Sequence, residues 1–143
     1  MDTRAGAPFD LAAHLNYLRA EVAAAQAAPL SARKAMLAAL LVDAYADRLF
    51  AAQTGADDIL EFRAGLAAAS PALGLVFDVA AGRARLVTEA VKVPLAEYGT
   101  LSVQDFMVSL YNGHTVQRVL VVGTDGARHD VHAVLAEAVK VVG

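Results

Sequence analysis

Of the 33 alanines in the chain, 23 precede Pro71, whereas 16 of the 18 valines follow it. Alanine is the strongest helix former, and β-branched valine fits the pleated surface of a strand. A chain divided in this way is expected to be an α+β protein, helical over residues 1–70 and sheet-containing over 71–143. No fixed-period repeat and no Gly/Ser-rich linker separates the halves, so residues 1–143 are expected to form a single domain with one shared core.

The apolar spacing refines this frame. Leu11, Leu15, Leu18 and Val22 recur at helical intervals between Asp10 and Ala28, and Pro29 ends the run. A second helix starts after Ser31, a good N-cap, and runs to about Gln53 with Gly55 beyond it. Leu37, Leu40, Leu41, Ala44 and Tyr45 form one apolar face of it, interrupted by Arg48, while Val42, Leu49 and Phe50 lie outside that face. A helix that is apolar on most sides is buried on several of them, which makes this one either central or the seam of a homodimer. A third helix is expected from Ala56 to Ala69, with Asp57, Asp58 and Glu61 in its first turns, where negative charge suits the helix dipole.

After Pro71 the pattern predicts β-β-α-β-α. Leu75, Val76, Phe77 and Val79, the Ala81-Gly82 turn and Leu86–Val93 read as a β-hairpin stopped by Pro94. Val103–Tyr111 reads as a helix, because Val103, Phe106, Met107 and Leu110 keep i, i+3, i+4, i+7 spacing behind a Ser102/Asp105 start. The competing reading is a strand of a hairpin turning at Asn112-Gly113. Val116–Val122 is expected to be a strand, parallel to the second through a crossover. Gly123–Gly126 then turns the chain into a last helix carrying Val131, Val134, Leu135, Ala138, Val139 and Val142 on one face.

Several functional classes fall away on composition. The chain has no cysteine, so disulfides, thiolate nucleophiles and cysteine-held metals are excluded. A net charge of −3 with no basic run gives no footprint for nucleic acid. The longest uncharged stretch, Ala64–Phe77, is interrupted by Ser70-Pro71 and falls short of the ~20 residues that span a bilayer, so no membrane partner is expected. Asp2, Arg4 and Asp10 interrupt the N-terminus without a following apolar run, which argues for a cytoplasmic location.

The residues able to do chemistry concentrate between 112 and 137. Asn112, His114, Arg118, Thr124, Gly126, Arg128 and His129 suggest a site for a small anionic ligand, with backbone N–H groups of the Gly123–Gly126 loop at a helix N-terminus. Asp125 opposes that reading, since its carboxylate competes for the same N–H groups. His129 and His132 fall within about 60° of each other on an ideal helix. With His114 they suggest a divalent metal site, although no carboxylate completes it and the plainer reading is a solvated helix start. Asp43 and Asp47, with Asp57, Asp58 and Glu61, suggest magnesium, or more simply a solvent stripe. The segment VLVVGTDG, residues 119–126, has neither the G-x-G-x-x-G nor the P-loop pattern.

The leading expectation is therefore a non-enzymatic homodimeric interaction or regulatory protein without a cofactor, its seam at Val42, Leu49 and Phe50. A small-anion binding module and a metal-dependent hydrolase are the alternatives.

Overall fold

A computed structural model describes residues 10–53, 58–93, 99–111 and 113–143. Its elements are α1 (Leu11–Ala27), α2 (Ala32–Ala52), α3 (Ile59–Ala69), α4 (Pro71–Ala80), β1 (Arg85–Lys92), α5 (Val103–Tyr111), β2 (Thr115–Val122), β3 (Arg128–Asp130) and α6 (Val131–Val142). This is an α+β fold, with helices packed on one antiparallel sheet of order β1-β2-β3.

The helices begin where side chains satisfy the unpaired N–H groups of a first turn. The Asp10 carboxylate accepts from the N–H groups of Ala12 and Ala13, and Ser31 Oγ accepts from Lys34 N–H. Asp58 and Asp130 do the same for α3 and α6. Helix α2 is the central helix, packed by α1, α3, α4 and α6. Its buried face is not the leucine face expected from the sequence: Ala35, Ala38, Ala39, Val42, Tyr45 and Ala46 are buried, while Leu37 and Leu40 are exposed. Alanines let neighbouring backbones approach closely, so the small residues take the crowded sides and the leucines lie at the margins.

The expected hairpin at 75–93 is corrected at its first strand. Residues 71–80 form α4, with Leu73, Val76 and Phe77 buried at helical spacing. A short, wholly apolar run looks the same as a buried strand or a buried helix. The deciding signal is Ser70-Pro71: Ser70 Oγ caps Leu73 N–H at 3.2 Å, and Pro71 occupies the first helical turn, where its missing N–H costs nothing. Gly82, at φ 79°, follows the C-terminus of α4 in the left-handed conformation that glycine adopts at helix ends.

The strand order also differs from expectation. β2 pairs antiparallel with β1, Arg85 opposite Val122 and Lys92 opposite Thr115, because α5 folds back onto β2 instead of crossing the sheet. Gly123–Gly126 does not lead into a helix: it closes a second hairpin, β2 to β3, with Leu120 opposite Asp130. The sheet face bearing Leu86, Val119 and Val121 joins the core, together with Leu18, Val42, Leu73, Val76 and Leu135. That cluster draws on both sides of Pro71.

Candidate functional site

Helix α5 is built inside out. Ser102 Oγ accepts from Asp105 N–H at 3.1 Å and starts it. At 100° per residue, Asp105 and Ser109 share one side, and Val103, Phe106, Met107, Leu110 and Tyr111 share the opposite arc. The polar side faces the protein: Ser109 is 0% exposed with its hydroxyl donating to Phe106 O, and Asp105 binds the Arg118 guanidinium on β2 at 3.1 Å. The apolar arc faces outward, its exposure ranging from 38% at Phe106 to 83% at Tyr111, with Val108 exposed beside it. A helix with the opposite orientation would bury its apolar arc. After it, Gly113 and His114 both take left-handed φ values, 63° and 64°, and His114 O accepts from Val93 N–H at 2.8 Å.

Between the α1–α2 turn, the start of α5, β2 and the β3–α6 junction lies a cleft of about 610 Å³. Arg118 sits in it, its Nη1 donating to Asp105 and, at 2.9 Å, to Gln117 O. His132 Nε2 donates to Pro29 O at 3.0 Å, which leaves Nδ1 as the acceptor nitrogen, enclosed and without a partner among the described residues.

The residues picked out from the sequence do not converge. Asn112 lies outside the described residues. His114 precedes β2 and Thr124 follows it, so the eight-residue strand, about 25 Å of chain, separates them. The loop's N–H groups are consumed internally: Gly123 N–H donates to Ala127 O, Gly126 N–H to Gly123 O and Ala127 N–H to the Asp125 carboxylate. Gly126 sits at φ 80° to make that turn, and Thr124 is exposed on it. Arg128 is held two-pronged by Glu89 across the sheet, at 2.8 and 3.2 Å. That pairing pulls the Glu89 carboxyl below its ordinary value of 4.5.

The metal readings meet the same difficulty. His129 is exposed on β3, His132 is committed to Pro29, and His114 is at the far end of the sheet. Among the described residues, no group of three His, Asp or Glu side chains is arranged to hold a metal ion. Asp43 and Asp47 instead grip Arg63, which also lies 4.1 Å over the Phe77 ring. Asp58 caps α3, Glu61 is exposed, and Asp57 lies outside the described residues.

The expected seam on α2 changes as well. Val42 is 0% exposed in the chain's own core and offers nothing to a partner. Phe50 rests against Phe62 at 5.5 Å between ring centres, and Leu49 packs on the core's edge. The third helix, with Phe62, covers a side that the alanine-rich sequence left apparently bare.

His14, on α1, is 4% exposed and bonded through both ring nitrogens. Nε2 donates to Leu41 O at 3.1 Å, Nδ1 accepts from Arg48 at 2.9 Å, and the ring meets Tyr45 edge-on at 5.0 Å. The available signal was that two irregularities, a histidine on one apolar face and an arginine on another, can satisfy each other.

No protein-family model, curated protein or solved structure matches this chain.

Proposed function

We propose that this protein is a homodimeric interaction protein whose two copies meet through α5. The observation that carries the reading is the outward apolar arc of that helix. Five large apolar side chains on one arc, 38–83% exposed, are more than the scattered single hydrophobics that a monomer's surface carries as a rule. Val103, Phe106, Met107 and Leu110 have the i, i+3, i+4, i+7 spacing by which helices dock on apolar surfaces.

A second copy suits this patch better than a charged partner does. None of its residues is charged, and the one charge on α5, Asp105, is turned inward to Arg118. An uncharged apolar ridge beside a two-fold axis meets its own copy, which makes the contact self-complementary. Pairing through the edge strand β1 is less favourable, because a symmetric antiparallel register sets Arg85 against Lys92 of the other copy.

The test is the mass in solution by light scattering from low to high micromolar concentration. A dimer that dissociates on dilution is the expected result. A monomer across the whole range overturns the proposal.

A further inference from the structure

Arg118 uses little of its hydrogen-bonding capacity. Both of its protein contacts run through Nη1, and Nε and Nη2 donate to no described residue. A guanidinium paired two-pronged with a carboxylate, as Arg128 is with Glu89, has spent its fork. Arg118 holds Asp105 by one prong only, and its side chain remains 29% exposed in the cleft.

The surroundings select the ligand. At about 610 Å³ the cleft falls within the range of small-molecule sites. Pro29, Leu30 and Val108 give it an apolar wall, and Gln26, Gln104 and Gln117 give it amides. Asp105 and Asp130 line the same space and outnumber Arg118, so each further negative charge on a ligand adds repulsion and a singly charged anion is tolerated better than a doubly charged one. Asp130 is occupied in capping α6. We propose that this cleft binds a small monocarboxylic acid, its carboxylate taken by Nε–H and Nη2–H of Arg118 and its apolar body lying on Pro29, Leu30 and Val108. The site is distinct from the outward arc of α5, and neither proposal depends on the other.

The test is a titration of the isotope-labelled protein, followed by amide correlation spectra. The probes are sodium benzoate and sodium hexanoate, with benzamide as the uncharged control and inorganic phosphate as the control of higher charge. Saturable shifts at Gln104, Asp105, Gln117 and Arg118 with the two carboxylates, absent with benzamide and weaker with phosphate, are expected. Arg118→Gln weakens binding at least about tenfold, the scale of a lost charge-assisted hydrogen bond. Asp105→Asn removes the competing carboxylate and tightens it by about threefold, the scale of a part-exposed ion pair. If Arg118→Gln fails to fold, the Asp105→Asn result decides. No saturable shift with either carboxylate, equal shifts with benzamide, tighter phosphate binding, or weaker binding in Asp105→Asn overturns the proposal.

Discussion

Helices α5 and α6 are alike in sequence and opposite in structure. Each starts at a side-chain cap, Ser102 or Asp130, and each carries an apolar stripe at helical spacing: Val103, Phe106, Met107 and Leu110 in one, Val131, Val134, Leu135 and Ala138 in the other. The stripe of α6 is buried against α1, α2 and α4, while that of α5 is exposed. What separates them is the side each offers to its neighbour. α6 meets an apolar layer, whereas α5 meets Arg118 on β2 and turns Asp105 and Ser109 towards it. Periodicity tells that a helix has an apolar face, and the neighbouring element decides which way that face points.

The largest effect that separates the two is a cavity. At a concentration low enough for the chain to be monomeric, Leu135→Ala is expected to destabilise by about 3 kcal/mol in urea unfolding, as for other fully buried leucines, while Leu110→Ala costs under about 0.5 kcal/mol. Equal losses would mean that α5 also belongs to the core.

Ser109 tests the orientation of α5 from the inward side. It is enclosed on the inward face of α5, so Ser109→Leu overpacks that contact and costs about 2 kcal/mol. An unchanged melting temperature would place Ser109 in solvent and reverse the orientation of the helix.

The caps distinguish cooperative from peripheral structure. Asp130→Ala and Ser102→Ala each remove a cap worth about 1 kcal/mol. The first is expected to appear in global unfolding. The second is expected in the hydrogen exchange of α5 alone, since among the described residues that helix packs mainly on β2. A global loss from Ser102→Ala breaks the distinction.

The smallest effect lies in the sheet between them. Glu89 is held below its ordinary value of 4.5 chiefly by its hydrogen bonds to Arg128, so the bridge contributes at pH above that value. Its contribution fades as pH falls through the lowered value, where the carboxylate takes up its proton. The stability difference between the protein and Glu89→Gln should therefore shrink on acidification from pH 7. A constant difference would show that the bridge contributes nothing.

The sequence carried the composition boundary, the ends of α1 and α2, the helix over Val103–Tyr111 and the face of α6, because caps, prolines and period are local signals. It misled at 71–80, where Leu75, Val76, Phe77 and Val79 are apolar under either period and Ser70-Pro71 read as a break instead of a cap. The candidate site was legible only in pieces. Arg118 stood in the chosen cluster, but nothing local indicates that it faces Asp105 or that Pro29 and Gln26 border the same cleft. Those neighbours come from separate elements. Likewise, the outward turn of α5 depends on its seating against β2, which no spacing within residues 103–111 encodes.

Dimerisation through α5 requires its apolar arc to be both exposed in each copy and covered in the pair. Sedimentation velocity of the protein beside Leu110→Glu, with helical content checked by circular dichroism, tests both parts together. The predicted result is a dimer for the protein and a folded monomer of unchanged helicity for Leu110→Glu. A Leu110→Glu variant that stays dimeric would place the contact elsewhere, and one that unfolds would mean that Leu110 was part of the core.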